Sequence, residues 1–318
     1  MAVAARGRGG DRGASPRGLP GRPGADGRRA ARDGPQCGVR RGRDAQDQRL
    51  RAAGAAHVRA GRRRPATGDL RGHLEWTRLA GEVATTPRQV LVNCSKARNG
   101  SPDYSFGLPD VAGTPLRELV DAVRDVCGGD PGGARDLDGP GWIDPDRAVD
   151  AIERHRRSLA HAAAEQATVL VATGHPTGLL AHYAAIVRAL QSRGCAVATP
   201  LDDTFVYETE RGRPVGIRFT DGVGGEFDGA NLRHTHRPDL MERMLDATVG
   251  RIDLVIADHG LAGAAIARGL PTLSIADVND PALPLAQARG LTNAVLPLDD
   301  NLAPRHYLPV TEHMLDWG

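Results

Sequence analysis

The chain has 318 residues, with 41 Lys+Arg against 39 Asp+Glu for a net charge of +2, and aromatic residues at only 3 %. No stretch approaches the roughly 18 consecutive apolar residues of a membrane span, which argues against a transmembrane protein. Four cysteines (Cys37, Cys94, Cys127, Cys195) are scattered without CxxC spacing, so neither a zinc knuckle nor a disulfide framework is expected, and the simplest setting is cytoplasmic.

The near-neutral balance hides an asymmetry. Residues 1–66 are a dense Arg/Gly/Ala/Pro mixture, including Arg28, Arg29, Arg40, Arg41, Arg43, Arg62, Arg63 and Arg64, with almost no large apolar side chains. Such a segment cannot bury enough surface to offset its ordering entropy. Residues 1–70 are therefore expected to be disordered, and their composition also fits a misplaced start or a shifted reading frame. Nucleic-acid binding is disfavoured, because no aromatic residue interleaves the arginines to stack on bases. No apolar h-region follows Arg28-Arg29, so a secretory signal is not supported. Of the 41 basic residues only Lys96 is a lysine, a bias that points to a GC-rich genome.

The pattern changes near Leu70, and from His73 onward apolar periodicity returns. Leu116, Leu119, Val120, Val123 and Val126 predict an amphipathic helix over Pro115 to Val126. A Gly/Asp/Pro loop follows from Gly128 to Pro145, with Asp130-Pro131-Gly132-Gly133 as a strong breaker. Asp144 as N-cap and Pro145 at the first helical position then open a second helix, which runs to about Glu165. Residues 71–165 thus read as a mainly helical accessory or cap region.

Residues 166–318 alternate strand and helix and read as the catalytic domain. Strands are expected at Thr168–Thr173, Ala196–Pro200, Asp253–Ala257, Thr272–Ala276 and Asn293–Pro297; helices at Leu179–Ser192, Pro238–Thr248, Ala262–Arg268 and Ala282–Ala288. That rhythm predicts an α/β fold with a Rossmann-like parallel sheet and helices on both faces. Between the second and third strands, Phe205–Leu232 predicts a β-hairpin insertion.

Ligands of open α/β sheets bind at the carboxyl ends of the strands. Here those ends carry His175, Asp258-His259-Gly260, Asp277-Val278-Asn279-Asp280 and Asp299-Asp300-Asn301. Thr173-Gly174-His175-Pro176-Thr177-Gly178 is a Gly-rich strand-to-helix turn, able to offer backbone N–H groups and a helix N-terminus to an anion. In an extended His234-Thr235-His236 both imidazoles project to one side and can share a metal. His182 reads as an exposed helical residue, and for Asp253 and Asp277 the plainer alternative is a cap or an arginine partner. Familiar signatures fail: Leu201-Asp202-Asp203-Thr204 lacks Asp-x-Asp-x-Thr spacing, and Cys94 has Gly100 where a Cys-x5-Arg loop needs arginine. The turn also lacks Arg-His-Gly and Gly-x-Gly-x-x-Gly, so a dinucleotide cofactor is disfavoured.

The chain resembles an actinobacterial family of proteins generically named phosphatases. The likeness rests on His73-Leu74-Glu75-Trp76-Thr77-Arg78-Leu79-Ala80-Gly81, Val83-Ala84-Thr85, Pro87-Arg88, Tyr104-Ser105-Phe106-Gly107-Leu108, the turn from Ala172 to Leu180, Leu232 to Pro238, Ala257 to Ala264, Asp277 to Leu283 and Pro297 to Asn301. It covers about residues 71–310. Where family members usually continue with Glu-Asn-Asn after Pro-Arg, this chain has Gln89-Val90, a departure that bears on activity or substrate preference. The resemblance implies a phosphatase, and with the residues above it gives a metal-assisted phosphomonoester hydrolase acting on a small phosphorylated metabolite. Thr173, Gly174, Thr177, Gly178, Arg78 and Arg88 are the expected phosphate contacts; His175, Asp258 and His259 the catalytic residues; His234, His236, Asp258, Asp277 and Asp280 the ligands of a divalent Mg, Mn or Zn ion. Another hydrolase or a transferase using the same crevice, or a non-catalytic small-molecule binding protein, are the alternatives.

Overall fold

The computed structural model describes residues 65, 66 and 68–317. The expectations for residues 1–64 lie outside the described residues. Asp69 opens the first helix, α1 (Leu70–Thr77), by accepting a hydrogen bond from Gly72 N. Thr86 caps α2 (Pro87–Arg98) in the same way, ahead of a proline at the first helical position. Between α1 and α2 lies a short strand, β1 (Gly81–Val83), and after α2 come α3 (Pro102–Ser105) and α4 (Leu116–Cys127). The expected apolar stripe of α4 is buried at Leu119, Val120, Val123 and Val126. Strand β2 (Gly141–Ile143) pairs antiparallel with β1, a contact of three residues on each side that carries no periodicity a sequence could reveal. Asp144 then caps α5 (Pro145–Ala164), accepting from Asp146 N and Arg147 N.

The central element is a parallel sheet of five strands: β3 (Thr168–Val171), β4 (Ala196–Val197), β9 (Leu254–Asp258), β10 (Thr272–Ala276) and β11 (Val295–Pro297), in spatial order β11-β10-β9-β3-β4. Every residue of β9, β10 and β11 is buried, as expected of parallel strands covered by helices. Helix α6 (Pro176–Ser192) links β3 to β4, and α8 (His259–Ala267) and α9 (Ala282–Ala288) lead from β9 to β10 and from β10 to β11. The chain runs from β3 to one edge and then returns on its other side through β9, so the direction of winding reverses between β3 and β9. The crevice of an open α/β sheet forms at such a reversal. Two helices begin earlier than the sequence pattern indicates, α6 at Pro176 and α8 at His259, and the shift places site histidines at or beside helix starts.

The insertion is larger than the expected hairpin. Four antiparallel strands, β5 (Thr204–Glu208), β6 (Pro214–Thr220), β7 (Val223–Phe227) and β8 (Leu232–Arg233), form a second sheet, followed by α7 (Asp239–Ala247). Strand β7 contains Gly224-Gly225, which reads as a breaker in sequence. In the fold the end of β3 lies beside this pair, with Thr173 N donating to Gly224 O at 2.8 Å, and a Cβ at Gly224 would meet the Phe219 ring at 3.0 Å. The N-terminal helices and the parallel sheet share one apolar core, in which Leu74, Leu119, Ile152, Leu170, Val255 and Leu296 are fully buried. His182, read as exposed, is buried, with its Nδ1 2.7 Å from the Thr311 hydroxyl, because the closing helix α10 (Leu308–Leu315) covers that face of α6. Among the described residues no helix is long and apolar enough to cross a membrane.

Candidate active site

Four strand ends converge at the crevice. From β3 the chain turns through Thr173 and Gly174, and Gly174 N donates to Asp258 Oδ2 at 3.0 Å while Gly174 O accepts from Thr235 N at 3.0 Å. A Cβ at Gly174 would lie 2.4 Å from Thr235 O and 3.0 Å from His259 Nδ1, so only glycine lets the loops close around the imidazoles. At the end of β9, Asp258 is extended and His259, the first residue of α8, has φ +48°. A non-glycine residue at positive φ costs roughly 1–2 kcal/mol, and here the bend delivers the His259 ring into the crevice.

The side chains meet closely. His175 Nδ1 lies 3.0 Å from His259 Nδ1, 3.5 Å from Asp300 Oδ2 and 3.9 Å from Asp258 Oδ2. His259 Nε2 lies 3.2 Å from Asp300 Oδ2 and 3.4 Å from Asp280 Oδ2. The rings of His175 and His234 are 4.0 Å apart, and His234 Nε2 faces His236 Nε2 at 3.0 Å. His236 Nδ1 sits 2.8 Å from Asp103 O, an acceptor only, so Nδ1 carries the proton and Nε2 presents its lone pair to the cluster. Phe106 walls this side, with its ring 5.3 Å from His259 and 5.6 Å from His236. The cluster is graded in depth. Asp258, Asp280, Asp300 and His259 are buried, His175 and His236 partly so, and His234 is exposed.

Burial sets the electrostatics. It lowers the proton affinity of His175, which the neighbouring His259, His234 and His236 depress further. His234 is open to solvent on its outer edge, but desolvation on the cluster side, with His259 and His236 beside it, lowers it to about 4. Those two imidazoles are therefore neutral and carry free lone pairs at pH 7. For carboxylates the same desolvation acts in the opposite sense, raising Asp258 to about 6 and Asp300 to about 7. Burial opposes charge on His259 too, but Asp280 and Asp300 outweigh it and raise its pKa well above that of a free imidazole.

Not every expected residue lies in this cluster. Asp277 is buried beside it, yet its oxygens accept from Thr85 Oγ1 (2.8 Å), Asn279 Nδ2 (2.7 Å) and Val278 N (2.7 Å), so it braces the loop that carries Asp280. The turn does not present a cradle of open N–H groups: His175 N donates to Thr173 Oγ1 and Gly178 N to His175 O, while Pro176 has none. A Cβ on Gly178 would meet Asp300 O at 2.6 Å, so this glycine serves close packing of α6 on the loop after β11 and does not face an anion. Thr177 is exposed at the start of α6. Arg78 donates to Glu82 O at 3.0 Å and lies near Asp299; Arg88 forms a bidentate pair with Asp138 on the surface, at 2.7 and 2.8 Å. Asp300, by contrast, belongs to the cluster and was absent from the expected ligands. Its sequence signal was its position at a strand end, which Asp299 and Asn301 share. Asp103 carried no signal in the sequence, and Phe106 none beyond the family likeness of Tyr104 to Leu108.

Imidazoles and buried carboxylates gathered where a parallel sheet reverses its winding define an α/β protein with a histidine/aspartate centre in its crevice. The chain belongs to the family described as Phosphatase, whose model matches residues 65–317. It is also 35 % identical over 263 residues to Phosphatase SCO2771 of Streptomyces coelicolor, a match that covers 79 % of this chain and 95 % of that protein. The actinobacterial family likeness read from the sequence is thereby shown, and the protein is a phosphatase.

Proposed function

We propose that the protein hydrolyses a phosphomonoester of a small metabolite, of the sugar or nucleoside phosphate class, with a divalent cation held by the histidine/aspartate cluster. The observation that carries this reading is a pair of buried oxygens without hydrogen bonds, Asp258 Oδ1 and Asp280 Oδ1, beside the lone-pair nitrogens of the neutral His175 and His234. Each such oxygen costs about 1–3 kcal/mol unless something positive meets it. The ligand atoms of His175, His234 and His259, and those of His259, Asp280 and Asp300, lie within 4.8 Å of one another in each trio, which fits a single ion in either place. Mixed imidazole and carboxylate donors favour Zn or Mn over Mg. When bound, such an ion polarises a phosphoryl oxygen and lowers the pKa of coordinated water.

The chain's own residues supply the rest. Asp277 and Thr85 hold the loop that carries Asp280, Asp103 fixes the tautomer of His236, and Phe106 keeps water from the inner side of His259 and His236. His175, deprived of its proton by burial, suits a ligand or base better than a proton donor. Substrate enters from the exposed His234 side. A cytoplasmic setting accords with the buried, unpaired thiols of Cys94, Cys127 and Cys195. Phosphate release from a panel of sugar and nucleoside monophosphates tests the substrate class; absence of release from all of them would remove it.

A further inference from the structure

Helix α2 runs beside the site and is tied to it at three levels. Thr85, just ahead of it, donates to Asp277 Oδ2 at 2.8 Å; Asn93 donates to Asn279 O at 3.2 Å; Lys96 Nζ donates to the Tyr104 hydroxyl at 3.0 Å. Positions 93 and 96 lie three apart and share a helix face. Lys96, one turn on from Asn93, thus holds Tyr104, whose ring meets that of His236 edge-on at 6.0 Å. Its ammonium lies 4.6 Å from the centre of the Tyr104 ring, and among the described residues no carboxylate pairs with it. Of the chain's 41 basic side chains this is the one lysine, the rest being arginines. An arginine has a planar fork suited to surface carboxylates; lysine presents a compact, rotatable ammonium.

We propose that Lys96, held by Tyr104, binds a second anionic group of the substrate, a carboxylate or a second phosphate, while the reacting phosphate lies at the histidine cluster. The substrate class is then a small phosphorylated metabolite with two anionic groups. The inference rests on the reading of the cluster as the phosphate-ester site. An exposed ammonium without a counter-ion gains a charge-assisted hydrogen bond from such a group and nothing from a neutral tail.

Calorimetric titration of the full chain with fructose 1,6-bisphosphate and fructose 6-phosphate tests this without requiring turnover. The wild type should bind the bisphosphate at least about tenfold more tightly. K96M should lose that preference while binding the monophosphate as before and melting with the wild type, and K96R should keep part of it. Equal binding of both ligands by the wild type, or a preference that survives in K96M, would overturn the proposal. Phosphate release from fructose 6-phosphate, followed separately, reports on the hydrolase reading alone.

Discussion

His234 is the exposed member of the cluster and its ring contacts are with the other imidazoles, so removing it leaves the apolar core untouched. His234→Ala should weaken zinc or manganese binding at least about tenfold and leave the melting temperature unchanged. Metal affinity equal to the wild type in that variant would remove His234 from the ligand set. Asp277 behaves differently because its oxygens are already engaged by Thr85, Asn279 and Val278. In sequence the two aspartates of Asp277-Val278-Asn279-Asp280 are equivalent, since both stand at a strand end. Only the hydrogen bonds of the folded loop distinguish the brace, Asp277, from Asp280, whose Oδ1 is left without a partner.

At the scale of elements, the contact between α6 and the loop after β11 connects packing to the site. Gly178 leaves room for the backbone of residues 300–302, and a Cβ there would sit 2.6 Å from Asp300 O and 3.3 Å from Leu302 O. Gly178→Val should therefore cost about 1–3 kcal/mol through overpacking, visible as a lowered denaturant midpoint, and should also weaken metal binding by displacing Asp300. A variant of wild-type stability with unchanged metal affinity would contradict this coupling. The strands of the parallel sheet were legible because continuous apolar runs such as Leu254 to Ala257 admit few other readings. Strand β7 was not, because Gly224 and Gly225 lower strand propensity, and the Phe219 ring that packs over Gly224 is a neighbour only in the folded sheet. The start of α8 was missed for a related reason: His259 at positive φ opening a helix breaks the local rule, and such breaks gather at functional sites.

Over the whole molecule, buried neutral histidines couple the fold to pH. His155 is buried, with its Nε2 2.8 Å from Ala294 O, and burial lowers its pKa from 6.5 to about 4. Between those values the unfolded chain holds the extra proton, so stability is complete above pH 6.5 and falls as the solution is acidified toward pH 4. The loss is on the order of 3 kcal/mol for this residue. Urea midpoints of wild type and His155→Gln at pH 7 and pH 5 should show a smaller pH effect in the variant, whose amide can still donate to Ala294 O; equal slopes would rule His155 out as the source. The central claim, that the histidine/aspartate cluster works with a divalent cation, is tested most directly by phosphate release from the full chain before and after metal removal. Chelation should abolish release, and added zinc or manganese should restore it in the wild type and far less in His259→Ala. Undiminished release from protein shown to be metal-free would contradict the account.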